Sequence, residues 1–373
     1  MINSILSRSI NRTVITTISR LNTSSYLSSS SYSTSYYSYS NTTTTTTNII
    51  KRTMSTSNTN NNNNNNKGCC DPEARKPQPQ QGGGKKKGEK KVTPPSKYVV
   101  FTPAVIDMPD DAKYIDSHCH VDQTLQRLNK MLPDFPQFVK DNYPPQFEAC
   151  VQVCCDPVSM EYTDFLVQYP QIYAAYGVHP HNAKDYTDTV ESKLIERMSH
   201  PKTVAWGEMG LDYYYKNSTH DQQKIAFRRQ LGVAVPLGKP LVIHSRDAEE
   251  DTIAILKELV PKDYKIHIHC LTSSNQPYIL QLLEHFSNLC IGFTGCITFK
   301  SSDPIRDSLA IIPLDRLLLE TDAPYMTPEP FRGQIAHSGH IPHVANLIAQ
   351  IKGTSVEAVL KQCRENTKKI YGI

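Results

Sequence analysis

Two histidines, His118 and His120, stand two residues apart in the segment YIDSHCHVD and are bracketed by Asp116 and Asp122. Side chains at positions i and i+2 of a strand point to the same face, so a strand here would direct both imidazoles at one place. Paired imidazoles are common metal ligands. Taken alone, the motif fits an exposed polar strand end equally well, so other residues must decide.

Further titratable residues follow short apolar runs elsewhere in the chain. Each has a structural alternative, because a histidine there is often a hydrogen-bonded core residue and an acidic residue is often a helix N-cap. His267 also competes with His269, since alternation places both on one face of a strand. Six strand ends carrying histidine or carboxylate in one register are nonetheless improbable for structural reasons alone. The residues are His118 and His120, His179 and His181, Glu208 and Asp212, His244 and Arg246, His269, and Glu320 and Asp322.

The elements that must position these residues alternate between short apolar runs and longer amphipathic ones. The predicted strands are Lys113–Ile115, Ala149–Val153, Ile172–Tyr176, Thr203–Trp206, Leu241–Ile243, Ile266–Ile268, Leu289–Gly292 and Leu317–Leu319. The predicted helices include Asp221–Leu237, Ala248–Leu259, Asn275–Phe286, Ile341–Ile351 and Ser355–Tyr371. Eight strands alternating with helices predict an α/β fold of the (β/α)8 TIM barrel type, with chemistry at the carboxyl ends of the strands. A doubly wound open sheet also fits the alternation, but no glycine-rich dinucleotide or P-loop motif follows any strand.

The histidine and carboxylate set predicts a metal centre. We expect six ligands: His118, His120, Glu208, His244, His269 and Asp322. Six ligands exceed the need of one tetrahedral ion with an open water position, and suit two divalent ions, Mg²⁺, Mn²⁺ or Zn²⁺, bridged by a carboxylate. We expect Glu208 to be the bridge and Asp322 to bind one ion and accept a proton from the attacking water. This chemistry is metal-assisted hydrolysis.

Five motifs together resemble the TatD family of metal-dependent deoxyribonucleases, within the amidohydrolase-like barrels. They are D-x-H-x-H-x-D at Asp116–Asp122, G-x-H-P-H at Gly177–His181, G-E-x-G-L-D at Gly207–Asp212, H-x-R-x-A at His244–Ala248 and E-T-D-A-P-Y at Glu320–Tyr325. The resemblance runs from about Tyr114 to the C-terminus, implies the same six metal ligands, and favours His269 over His267. Two loops depart from the family pattern, at HCLTSS (269–274) and FRGQIAHSGHIP (331–342), which leaves substrate preference open.

The resemblance implies hydrolysis of DNA phosphodiester bonds, commonly from an end. His179, His181 and Arg246 are then expected to bind phosphate oxygens, for which the forked arginine side chain is well suited. Residues 100–373 carry 26 basic and 33 acidic side chains, which disfavours a tight duplex-binding surface and favours a terminus or single strand entering a pocket. The alternative is a hydrolase of an amide, lactone or other small ester on the same barrel.

The first 99 residues have a different composition. They are rich in Ser, Thr, Asn, Gln and Lys and carry 14 basic but three acidic side chains, so we predict a disordered low-complexity region. We divide the chain into a leader, 1–53, a linker, 54–110, and the barrel, 111–373. The leader lacks acidic residues and predicts a mitochondrial transit peptide, with a cytoplasmic protein as the alternative. We expect no membrane-spanning helix and no disulfides.

Overall fold

The computed structural model describes residues 96–98 and 100–373. The predicted leader, 1–53, and most of the predicted linker, 54–110, lie outside the described residues. No helix of the described part is long or apolar enough to cross a membrane. All eight cysteines of this part are buried.

Eight parallel strands form one sheet in sequential order. Hydrogen bonds from the Asp322 and His120 amides to the His118 and Ala323 carbonyls, 3.0 and 2.8 Å long, connect the ends of the last and first strands. The predicted (β/α)8 TIM barrel is therefore confirmed. The strands are β1 (Tyr114–Cys119), β2 (Phe147–Cys154), β3 (Ile172–Tyr176), β4 (Thr203–Asp212), β5 (Leu241–Arg246), β6 (Ile266–Ile268), β7 (Leu289–Phe293) and β8 (Leu317–Leu319).

Helices surround the barrel, and several begin at a side-chain cap. Thr219 forms a capping box with Gln222 at the start of α5 (His220–Ala234), and Ser355 caps the last helix. The prediction that α5 reaches Leu237 is wrong, because the helix ends at Ala234, ahead of Pro236. The helices are α1 (Val121–Arg127), α2 (Phe135–Asn142), α3 (Met160–Leu166), α4 (Asp188–Arg197), α5 (His220–Ala234), α6 (Glu249–Leu259), α7 (Gln276–His285), α8 (Asp303–Ile311), α9 (Ile341–Lys352) and α10 (Val356–Tyr371).

The strands bury both faces, as parallel strands covered by helices do. Alternate residues such as Leu241 and Ile243 belong to the large outer core between strands and helices. Their neighbours, such as Val242 and Leu318, form a smaller cluster with Tyr371 from the end of α10. This apolar layer supports the polar residues at the carboxyl ends of the strands.

Candidate metal centre

The strand ends bring all six predicted ligands to one buried place. His118 and Glu208 lie on β1 and β4, which extend further than predicted, and His244 lies on β5. His120 and His269 directly follow β1 and β6. Asp322 lies three residues after the end of β8 and has a left-handed φ of 51°, a conformation that aspartate tolerates. The exposed fraction of each of the six is 3% or less.

Distances between nitrogen and oxygen atoms define the centre. Glu208 Oε1 lies 2.6 Å from His269 Nε2 and 2.8 Å from His244 Nδ1, and its other oxygen lies 3.6 Å from His118 Nε2. Asp322 Oδ1 lies 3.4 Å from His120 Nε2 and 3.7 Å from His118 Nε2. His120 Nδ1 donates to the Val153 carbonyl at 2.8 Å, so its Nε2 is the nitrogen available as a ligand.

A divalent cation fits these donors. Among the described residues, His118 Nε2, Glu208 Oε2 and both Asp322 carboxylate oxygens are buried without a hydrogen-bond partner. Buried polar atoms left in this way are costly, and a cation held by imidazole and carboxylate groups would satisfy them. Three groups of ligand atoms are close enough to hold an ion: His118, His120 and Glu208; His118, His269 and Asp322; and His179, Glu208 and His244.

Electrostatics keep Glu208 and His118 in their metal-binding protonation states. Burial raises the pKa of Glu208, but His269 and His179 outweigh burial and hold that pKa well below its usual range. Burial, reinforced by His269, holds the pKa of His118 well below its usual range. Glu208 is therefore ionised and His118 is neutral, which are the forms that bind metals.

The residues predicted to bind phosphate lie on the β3 to β5 side of the centre. His179 Nε2 lies 3.4 Å from Glu208 Oε1, which places His179 among the possible metal ligands. His181 Nε2 lies 3.0 Å from Asp212 Oδ2, and the Arg246 guanidinium lies 4.2 Å from the centre of the Tyr214 ring. His181 therefore contacts Asp212 and Arg246 contacts Tyr214, whereas His179 contacts Glu208 directly.

The family described as TatD related DNase matches residues 115–372. The chain belongs to this family. It is 41% identical to the human 3'-5' RNA nuclease TATDN2 over 271 residues, which are 70% of this chain and 35% of that protein, so the chain spans about a third of that relative. It is 34% identical to the 3'-5' ssDNA/RNA exonuclease TatD of Pantoea ananatis, over 54% of this chain and 78% of that protein.

Solved structures support the fold. The structure of YjjV, a TatD homolog from Escherichia coli K12, superposes with a TM-score of 0.62 and 23% identity, covering 71% of this chain and all of that chain. TatD-family membership makes the protein a hydrolase that acts on ester bonds.

Sequence reasoning assigned no role to two groups that support this TatD-family centre. Asp212 Oδ2 lies 3.2 Å from His244 Nε2 and holds that ring from the side opposite Glu208. In the next layer down, His267 Nδ1 lies 2.6 Å from the Tyr371 hydroxyl and His267 Nε2 lies 3.0 Å from Glu320 Oε2. Asp212 was a strand-end candidate from its G-E-x-G-L-D motif, although its contact with His244 was not predicted, whereas no local pattern connects Tyr371 with β6.

An open cavity of about 170 Å³ gives access to the centre from the β5 to β7 side. His244, Arg246 and His269 line it. A second, more polar cavity of about 490 Å³ adjoins it and shares Ser245, Arg246 and Thr272 with it. Thr272 to Asn275, which line the second cavity, include the loop where the sequence departs from the TatD-family pattern.

Proposed function

We propose that the protein is a metal-dependent exonuclease that removes nucleotides from the 3′ end of single-stranded DNA, with RNA as the alternative substrate. The observation that carries the proposal is the cluster of buried, partnerless carboxylate and imidazole atoms beside a cavity whose wall includes Arg246. The names of TATDN2 and of the Pantoea TatD protein support the 3′-to-5′ direction. The net acidic barrel segment supports entry of a chain end rather than binding along a duplex.

We further propose that the centre holds two divalent ions, Mg²⁺, Mn²⁺ or Zn²⁺. Glu208 belongs to two of the three ligand groups, and its two oxygens face different histidines, which supports its role as the bridge. His118, His120 and Asp322 would serve one ion, and His244 and His269 the other. Two bound ions lower the pKa of a water molecule and stabilise both the attacking and the leaving oxygen.

The side chains supply the remaining steps. Asp322, held beside His118 and His120, accepts the proton of the attacking water. Arg246 and His181 bind the non-bridging phosphate oxygens and hold the scissile bond in place. His179, which already lies against Glu208, either binds a phosphate oxygen or completes the ligand set of the second ion.

Product lengths from end-labelled single-stranded DNA and RNA test the proposal. The full-length chain with Mg²⁺ or Mn²⁺ is expected to shorten either substrate from its 3′ end, and a chelator is expected to stop the reaction. Asp322→Asn keeps the shape of the side chain but removes the proton acceptor, so we expect a loss of at least about a hundredfold in rate. Asp188→Asn, at a side chain that is 95% exposed on α4, is the matched control and should match the wild type. Absence of cleavage by metal-loaded wild-type protein would contradict the proposal.

We propose a mitochondrial location for the protein. The support is the composition of the leader, residues 1–53, which contains Arg8, Arg12 and Arg20 and no acidic residue. A fusion of residues 1–53 to a fluorescent protein should enter mitochondria, and replacement of the arginines by glutamine should prevent entry. A diffuse cytosolic signal from the unmodified fusion would favour the cytoplasmic alternative.

A further inference from the structure

The 170 Å³ cavity next to the metal centre has an apolar outer wall. His244 and His269 form its inner side. The rest of its lining includes the apolar side chains of Cys270, Cys296, Phe299, Ile305 and Met326. The hydroxyl-bearing residues Thr272 and Ser301 line both this cavity and the larger polar one. A hydrolytic centre for a small anion would need no apolar compartment of this size within reach of its ligands.

The apolar wall is fixed in place by buried hydrogen bonds. The side chain of Arg306 is fully buried and donates to the carbonyls of Ile297 and Phe299 at 2.5 and 2.9 Å. The Ser302 hydroxyl donates to the Cys296 carbonyl at 2.6 Å. Gly295 permits this arrangement, since a Cβ atom there would lie 2.1 Å from the Met326 carbonyl oxygen. The cavity is thus preformed and does not depend on a mobile loop closing over a ligand.

The ring of Phe299 is a platform within this wall. It is partly buried, lines the cavity, and carries the guanidinium of Arg332 at 3.9 Å from the ring centre. Nucleic-acid bases stack on aromatic side chains, and an arginine over the same ring adds a cation–π contact. An engineered apolar cavity of about 150 Å³ accommodates benzene, so 170 Å³ is enough for a flat heteroaromatic ring.

We propose that this cavity binds the base of the 3′-terminal nucleotide, the one that is released. The proposal rests on the exonuclease function proposed above and adds a second recognition element to it. A nucleotide whose phosphate lies at His244 and His269 would extend its sugar and base into the rest of the same cavity, whose lining includes Phe299 and Met326. The hydroxyls of Thr272 and Ser301, which line both cavities, would bind the polar edge of that base. Recognition by stacking tolerates any of the bases.

The test compares two single-stranded oligonucleotides that differ only at the 3′ end, where one carries a normal nucleotide and the other an abasic tetrahydrofuran residue. The full-length protein, loaded with Mn²⁺, should cleave the normal end with a KM roughly tenfold lower, the size expected for loss of one stacked base. Phe299→Ala removes the platform, and Ser301→Trp fills the mouth from an exposed position. Both variants should lose the preference and cleave the two substrates with similar KM.

Ser287→Trp is the matched control for Ser301→Trp. Ser287 is exposed in the turn before β7, at the amino end of the strands, and the variant should keep the wild-type preference. Equal KM for the two substrates with wild-type protein would overturn the base subsite and leave the exonuclease standing. Cleavage of neither substrate by metal-loaded wild-type protein would overturn the exonuclease itself. A preference retained in both cavity variants would place base recognition elsewhere.

Discussion

His267 and His269 are two residues apart at the end of β6, yet their surroundings give them different roles. His269 Nε2 faces Glu208 in the ligand layer. His267 lies one layer deeper, against Glu320 and Tyr371. Burial raises the pKa of Glu320 to about 8, so its carboxyl is protonated at neutral pH, and its Oε2 lies 3.0 Å from His267 Nε2, while His267 Nδ1 donates to the Tyr371 hydroxyl. Burial holds the pKa of His267 well below its usual range, so His267 is neutral and supports the centre without serving as a ligand.

Substitution of each histidine by alanine should separate these roles. We expect His269→Ala to lose bound metal, because it removes a ligand. His267→Ala should keep the metal but lose about 1–3 kcal/mol of unfolding free energy, because Glu320 and Tyr371 are left buried without their partner. Metal content by mass spectrometry and urea unfolding measure the two effects. Equal metal loss in both variants would contradict the layered assignment.

Arg246 should contribute to substrate binding through its forked donors. Its guanidinium contacts the rings of Tyr214 and Tyr215, 4.2 and 5.0 Å from their centres, and lines both cavities. We expect Arg246→Ala to lower kcat/KM on single-stranded DNA roughly tenfold or more, the effect of losing hydrogen bonds to a charged group. Arg246→Lys keeps the charge but not the forked donors, so its kcat/KM should lie between those of the wild type and Arg246→Ala. An unchanged kcat/KM for Arg246→Ala would exclude a phosphate contact.

At the scale of the elements, the strand ends were harder to predict than the strands. The apolar runs of β5, β6 and β8 were located by their hydrophobicity. The prediction that β1 ends at Ile115 and β4 at Trp206 is wrong, because both strands continue through the polar residues of the centre to Cys119 and Asp212. Polarity alone assigns such residues to loops, whereas inside a barrel the backbone ladder continues and the polar side chains bind one another.

The positions of the candidate ligands followed from topology, but their contacts did not. Parallel strands in a barrel direct their carboxyl ends to one rim, so residues after each strand are expected to meet. The contact of His179 with Glu208, and that of Asp212 with His244, depend on how deep each side chain lies. Tyr371 reaches His267 across 104 residues of sequence, a contact that no local pattern contains.

The segment leading into α9 should make the stability of the protein depend on pH. His337 and His340 stack with their ring centres 4.0 Å apart, and His340 also stacks on Phe331. The His340 Nδ1 accepts from the His337 amide, and the His337 Nδ1 accepts from the Gly339 amide, so both rings are neutral. Burial, with the neighbouring histidines, lowers the pKa of His337 to about 4 and that of His340 to about 2.

A histidine whose pKa is lower in the folded state than in the unfolded state opposes folding as the pH falls. Above about pH 6.5 these histidines are neutral in both the folded and the unfolded chain, so the free energy of unfolding has its full value. Below that pH they take up protons in the unfolded chain first, and the free energy of unfolding falls. The lowered pKa of His340 should thus reduce the free energy of unfolding by about 2 kcal/mol when the pH falls from 7.5 to 5.0. Urea unfolding at both pH values should show a smaller loss for His340→Gln than for the wild type. If the wild type and His340→Gln lose the same unfolding free energy between the two pH values, His340 is not the source of the pH dependence.

At the scale of the whole molecule, the described residues begin before the barrel does. The Ser96 hydroxyl donates to Asp303 and the Tyr98 hydroxyl to Asp307, each at 2.6 Å, so this segment contacts α8. The Phe101 carbonyl accepts from the Asn346 and Gln350 side chains of α9 at 2.8 and 2.6 Å. Since α8 carries Ile305 in the cavity wall, the segment from 96 to 101 supports the candidate site from outside.

The melting temperature of a truncated protein should therefore depend on the residue at which it begins. A protein that starts at residue 92 keeps these contacts, whereas one that starts at the predicted barrel boundary, residue 111, loses them. Each lost hydrogen bond at a partly exposed position is worth about 0.5–1.5 kcal/mol, and about 1 kcal/mol shifts the melting temperature of a domain of this size by roughly 2–4 °C. We expect the chain from 111 to melt several degrees below the chain from 92. Tyr98→Phe in the longer chain removes one hydroxyl and should lower the melting temperature by a smaller amount. Equal melting temperatures for the two truncated chains would show that the contacts of residues 96 to 101 do not stabilise the barrel.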